Sequence, residues 1–184
     1  MRITRLATIT LLAAIAVSCR DAAPTSPSAP ELPLAARAHN GGAASITIPA
    51  PNGFASTVLA RGSFRDAIDA TFRIKEEKAT TVVHVNDPTQ MVMARITIAA
   101  GGALPWHTHP GPALVTVVAG ELTLVDGDDC RVRRYGAGAS FMDPGQGHVH
   151  VGLNAGGIET AVYVTYLDVP VGQSPLVVAP APGC

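Results

Sequence analysis

The stretch Gly101-Gly102-Ala103-Leu104-Pro105-Trp106-His107-Thr108-His109-Pro110-Gly111-Pro112-Ala113, running on through Leu114-Val115-Thr116-Val117-Val118-Ala119 to Gly120, decides the fold class. Alternate residues of a strand face the same way, so His107 and His109 project together. The prolines and glycines around them bound a short strand segment, where proline is tolerated at an edge, end or bulge. A second pair, Gly147-His148-Val149-His150, closes the stretch that begins at Gly138, and the only other histidines are His39 and His84. In a small closed barrel His150 approaches His107 and His109 from the opposite wall, and three imidazoles converge. Neutral imidazole is a good donor to a transition ion, and three on one side leave positions open for water or substrate.

The rest of the chain supports an all-β domain. Short strands are expected at Ala70–Ile74, Thr80–Val85, Met91–Ala99, Ala113–Ala119, Glu121–Val125, Val132–Tyr135, Ser140–Met142, His148–Leu153 and Thr160–Leu167, with a helical turn over Arg65–Ala70. Asn86-Asp87-Pro88, Ala119-Gly120, Asp126-Gly127 and Ala155-Gly156-Gly157 supply turns. Both faces of residues 113–119 are apolar, as expected of a strand covered on two sides by a second sheet or by a homodimer partner.

The two histidine stretches together resemble the paired motifs of the cupin superfamily. In that pattern glycine precedes His-x-His, a glutamate follows, and a glycine closes the hairpin. The second motif runs glycine, proline, glycine, two residues, histidine, three residues, asparagine. Gly147, His150 and Asn154 match its end, while Pro144 lies one residue further from its glycine than the pattern asks. The resemblance spans about residues 91–167 and implies one cupin-type β-barrel, a double-stranded β-helix or jelly roll. It also implies that His107, His109 and His150 bind a divalent transition metal (Fe, Mn, Ni, Cu or Zn).

One departure bears on the chemistry: the position where the resemblance expects a metal-binding glutamate is Ala113. Glu121 follows the turn glycine and is no substitute. Three neutral histidines leave a divalent ion its full charge, which lowers metal affinity and favours an anionic ligand; by analogy with three-histidine zinc sites, bound water would ionise near pH ~7. His148 and Gln146 share the parity of His150 and are the alternative ligands. His148 is otherwise the residue to move a proton in catalysis. His84 reads as a strand histidine with an ordinary partner, His39 lies in a linker, and Trp106 reads as outer packing or as a ring at the barrel mouth.

The N-terminus indicates export. Arg2 and Arg5 precede an apolar run from Leu6 to Val17, with the length and polarity of a secretory signal over residues 1–18. Ala16-Val17-Ser18-Cys19 resembles a bacterial lipoprotein box, with Ala16 where leucine is usual. Lipidation at Cys19, giving a periplasmic or cell-envelope lipoprotein, and ordinary signal-peptidase cleavage are the two readings. Residues 19–61, rich in Ala, Pro, Ser and Gly, read as a flexible tether, and residues 62–184 as the single barrel domain. Setting Cys19 aside leaves Cys130 and Cys184, an even pair in an oxidising compartment. A bridge between them would pin the C-terminal tail and contribute up to ~4 kcal/mol on the chain-entropy model.

The formal charge of −1 becomes −3 once residues 1–18 are removed, and no basic run or aromatic RNA-binding motif is present, so nucleic acid is excluded as a partner. Lys75-Glu76-Glu77-Lys78 reads as a solvated turn. Contact with a membrane is expected only through the lipid anchor. The fold hosts many activities. The leading expectation is a metal-dependent, dioxygenase-like enzyme acting on a small anionic or phenolic organic molecule; the rival is a binding or sensing module that holds a small ligand without metal.

Overall fold

The computed structural model describes residues 47–75 and 80–184. The signal segment, Cys19, His39 and most of the charge run at 75–78 lie outside them. Twelve strands follow one another: β1 Asn52–Ser63, β2 Asp69–Lys75, β3 Thr80–Asn86, β4 Gln90–Ala103, β5 His107–Thr108, β6 Ala113–Ala119, β7 Glu121–Asp126, β8 Val132–Gly136, β9 Ser140–Asp143, β10 His150–Leu153, β11 Thr160–Tyr166 and β12 Val177–Val178. No helix occurs among the described residues, and the helical turn expected at Arg65–Ala70 is instead an extended, bent connection.

Ten strands form one antiparallel sheet that folds on itself into a jelly roll. One wall carries β1, β4, β11, β6 and β9, and the other carries β12, β5, β10, β7 and β8. Strands β2 and β3 form a separate hairpin, and β10 links the walls through Leu153 beside Ala103 of β4. The first wall contributes alternating side chains to the core: Val92, Ala94, Ile96 and Ile98 from β4, Val115 and Val117 from β6, Val162, Val164 and Tyr166 from β11. Leu104 and Leu122 meet them from the second wall. Such period-two burial is what an apolar face in a β sandwich requires.

The outward side of the first wall stays open. Met93, Leu114, Val118 and Tyr163 are exposed in this single chain. The outward side of the second wall is covered: Ala103, Val125, Val151 and Leu153 form a small cluster with Ile48 and Trp106. Trp106 is therefore a packing residue on the outside of the barrel. The tail returns beside it, with Ala179 donating its N–H to the Trp106 carbonyl and Cys130 bonded to Cys184.

The tether expected through residue 61 ends earlier. Asn52–Ser63 pairs with β4 along most of its length, from Asn52 beside Ala103 to Ser63 beside Gln90. All twelve of its residues are exposed, so no apolar alternation marks it in the sequence. Main-chain hydrogen bonding to an edge holds it, which composition cannot reveal.

Candidate metal centre

Strand β5 presents His107, and His109 follows it before Pro110 breaks the chain. On the facing element His150 opens β10 and lies directly opposite His107 in antiparallel register. The loops that carry the pairs touch backbone to backbone: the Gln146 N–H donates to the His109 carbonyl at 2.8 Å. Gly145, at φ 62°, permits this approach, since a Cβ there would collide with the Gly111 carbonyl. Asn154 fixes the far end of β10, donating to the carbonyls of Ile98 (2.9 Å) and Ile158 (2.6 Å).

The ring centroids of His107 and His109 lie 4.9 Å apart, those of His107 and His150 4.4 Å, and those of His109 and His150 5.2 Å. One nitrogen from each ring lies within 4.8 Å of the other two. Two of the remaining nitrogens are tied back by hydrogen bonds. His107 Nδ1 is 2.8 Å from the Pro105 carbonyl and His109 Nδ1 is 2.9 Å from the Pro175 carbonyl. A carbonyl only accepts, so both Nδ1 atoms carry the proton and both Nε2 atoms present a lone pair. His150 Nδ1 is 3.2 Å from Asp143 Oδ2, a close electrostatic contact rather than a well-directed hydrogen bond.

All three rings are buried, and that burial sets their charge. Desolvation holds His107 well below the usual imidazole pKa, reinforced by His150 and His109. Burial likewise lowers His109, against the pull of Asp143, and lowers His150 to about 4. At neutral pH the cluster is three neutral imidazoles whose Nε2 atoms have no hydrogen-bond partner among the described residues. Unpartnered buried acceptors converging from two walls fit a divalent ion. Ala113 is fully buried and supplies no donor, as its sequence position implies. Glu121 is half-exposed and pairs with Arg134 at 3.9 Å, away from the interior.

His148 does not join this cluster. Its Nδ1 lies 2.8 Å from Asp143 Oδ2 and its Nε2 lies 3.1 Å from Asp126 Oδ2. With a carboxylate on each nitrogen, neither is free to ligate an ion beside His107 and His109. Burial opposes protonation of His148, but hydrogen bonds and charge from Asp143 and then Asp126 raise its pKa to about 9, so the ring is an imidazolium. Gln146 is no ligand either, because its side-chain amide donates to the His84 carbonyl at 2.9 Å. His84 itself pairs with Thr71 Oγ1 at 3.1 Å across the β2–β3 hairpin.

Asp143 is the residue that sequence reasoning missed. It is 2% exposed; its Oδ1 accepts the Gly145 N–H at 2.8 Å, while Oδ2 faces both His148 and His150. Burial would raise its pKa, yet the His148 hydrogen bond and the neighbouring rings hold it down to about 2. A continuous row therefore runs from His150 through Asp143 and His148 to Asp126, which Arg133 meets at 3.2 Å. A carboxylate behind a ligating histidine orients the ring and strengthens its donor nitrogen. The negative charge absent at Ala113 is thus present one strand away, since Asp143 pairs with Ala113 in the β6–β9 register. The signal available in the sequence was the acid before Pro144-Gly145, which reads first as a turn residue.

The space around the rings is small. An inner cavity of about 30 Å³ is lined by His107, His109, His150, Leu104, Phe141 and Tyr166. A larger cavity of about 510 Å³ lies beneath the β2–β3 hairpin and is bounded by Asp126, Asp143, His148, Arg133 and Val83. None of the three clustered histidines lines the larger space, which shares Leu124 and Phe141 with the inner one.

Residues 94–166 match the family model described as "Cupin domain". Those residues form a cupin domain. Among solved structures, an oxalate oxidase matches at 30% identity, over 48% of this chain and 46% of that one, with a TM-score of 0.42. The polyketide cyclase RemF from Streptomyces resistomycificus matches at 21% identity, over 50% and 64%, with a TM-score of 0.41. The DMSP lyase DddQ from Ruegeria pomeroyi DSS-3 matches at 20%, over 63% and 54%, with a TM-score of 0.43. The chain thus spans less than two thirds of each of these structures. No curated protein matches it.

Proposed function

We propose that this chain is an exported, metal-dependent cupin acting on a small anionic organic molecule in a dioxygenase-like reaction. The observation that carries this reading is the convergence of the three rings: the Pro105 and Pro175 carbonyls occupy Nδ1 of His107 and His109 and leave their Nε2 lone pairs facing the cluster, which His150 joins with Asp143 behind it. His107, His109 and His150 would hold a divalent transition ion. When bound, such an ion supplies a Lewis-acid and redox centre with positions open to substrate and dioxygen.

The chain's own groups account for selection and positioning. Three neutral ligands cancel none of a cation's charge, so the centre favours an anionic ligand, while Asp143 strengthens His150 from behind. The inner cavity has room for about two water-sized groups, enough for the reacting head of a ligand. Its body would occupy the larger space, where Arg133 and the imidazolium of His148 offset part of the acidic lining. Leu124 and Phe141 divide the two spaces and limit access of water. His148 holds a proton between Asp143 and Asp126 and acts as a positioning group for His150.

Export rests on the signal-like residues 1–18, with lipidation at Cys19 tethering the barrel to the envelope. A homodimer is supported by Met93, Leu114, Val118 and Tyr163 on the open wall.

The small inner space and the missing acid at Ala113 favour a second reading, a binding module without turnover. Oxygen-electrode screens of metal-loaded protein against small carboxylates and phenols separate the two. Ligand-dependent oxygen consumption that disappears in His107→Ala supports the enzyme. Metal-independent ligand binding, unchanged in His107→Ala and without oxygen uptake, overturns it.

A further inference from the structure

We propose that Tyr166 is the group that meets the exogenous ligand at the three-histidine centre, donating its phenolic O–H to an anionic oxygen of a carboxylate-sized head. The inference rests on the reading of His107, His109 and His150 as metal-holding residues.

Strand register places Tyr166 there. Ala113 on β6 pairs with Tyr166 on β11 on one side and with Asp143 on β9 on the other. Directly opposed residues of antiparallel strands share a face, so the three side chains form one row directed into the barrel. The methyl group of Ala113 leaves the middle of that row short, and the longer Tyr166 flanks the gap.

Tyr166 is 2% exposed, its ring centroid lies 4.9 Å from that of His109, and it lines the same inner space as the three histidines. Among the described residues its hydroxyl has no hydrogen-bond partner. A buried tyrosine hydroxyl ordinarily has one. The hydroxyl is thus left for a partner in the inner space, which at about 30 Å³ has room for roughly two water-sized groups. A phenol is protonated at neutral pH, so the hydroxyl acts as a donor and its partner is an acceptor. Tyr166 thus adds oxygen-ligand recognition at the position where Ala113 supplies none.

The test uses the full chain loaded with Co(II), with visible absorption followed as sodium formate is added, for wild type and Tyr166→Phe. Both proteins are expected to bind Co(II) within about threefold of each other, while formate binds the variant about tenfold more weakly, as for one lost hydrogen bond to a charged acceptor. The metal-free variant is expected to melt no lower than wild type, because the hydroxyl it loses has no partner among the described residues. Equal formate affinity in the two proteins overturns the inference while leaving the metal centre standing. A variant that melts lower without metal, or loses Co(II), also overturns it, by showing a structural or metal-holding role. Failure of the wild type to take up Co(II) is seen before any formate is added and overturns the underlying metal reading.

Discussion

His107 and His109 have the same spacing as His148 and His150, yet the first pair turns two neutral rings into the barrel while the second divides. His150 is inside and neutral; His148 stands behind it, charged between two carboxylates. The difference has two physical sources. His107 and His109 belong to a short extended segment whose Nδ1 atoms meet carbonyls, whereas Gln146 (φ 52°) and Gly147 (φ 99°) turn the chain just before His148, which precedes β10. Burial and partners then fix the charge: desolvation keeps the carbonyl-bonded rings neutral, while a carboxylate on each nitrogen of His148 outweighs it and makes an imidazolium. Equal spacing in sequence therefore yields two ligands in one pair and one ligand with a buttress in the other.

The sharpest way to break this comparison is to remove one ring from each class. His109→Ala is expected to lower metal affinity on the order of 100-fold or more, whereas His148→Ala, which touches the centre only through Asp143, costs about tenfold. Chelator competition with both variants measures the two losses. Equal losses would place His148 among the ligands.

Next in size is Asp143→Asn, which breaks the link between the two kinds of histidine. It leaves the imidazolium of His148 with one carboxylate and removes the charge behind His150. The expected cost is about 3 kcal/mol in urea unfolding, as for a buried pair broken on one side, together with a drop in metal affinity of about tenfold. Unchanged unfolding would show that the row from Asp126 to His150 is not a coupled unit.

The pH dependence of the metal-free protein sharpens the contrast, because the two histidines have opposite signs. His150 has its folded pKa lowered to about 4 from 6.5, so the unfolded chain binds more protons between those values and stability falls as the pH drops through that window. His148 has its folded pKa raised to about 9; its contribution is complete below 6.5 and is lost as the pH rises through 9. Asp143, lowered to about 2 from 3.8, adds stability above 3.8 that disappears as the pH falls through 2. Urea midpoints are expected to peak near pH 6.5, and His148→Gln is expected to flatten the alkaline limb alone. A wild-type midpoint independent of pH from 6.5 to 9 would contradict the imidazolium assignment.

The smallest expected effect belongs to Gln146, whose amide joins the loop to the β2–β3 hairpin at an exposed bond. Gln146→Ala should cost no more than about 1 kcal/mol and leave metal affinity unchanged. A large loss of metal would return Gln146 to the ligand set.

Much of the barrel was legible because its strands alternate or are framed by turn residues. The expected segments at residues 113–119 and 160–167 coincide with β6 and β11 to within one residue. Strand β1 was hidden because it is exposed along its whole length and held by main-chain pairing. Strands β5 and β12, with two residues each, are too short for any period. The expected histidine triad comes together in space, and Ala113 lies inside the barrel without a donor group. Parity misled for Gln146 and His148, which share it with His150, because positive-φ residues intervene. Asp143 could not be read as the partner of His150 because its role depends on β6–β9 register, a non-local property.

The central claim is that His107, His109 and His150 hold a divalent ion, and the most direct test is elemental analysis of the untagged chain purified without chelator, followed by titration with Fe, Mn, Ni, Cu and Zn. The expected result is close to one ion per chain, present at isolation or taken up on titration. A protein that is metal-free as isolated and takes up none of the five would contradict the claim.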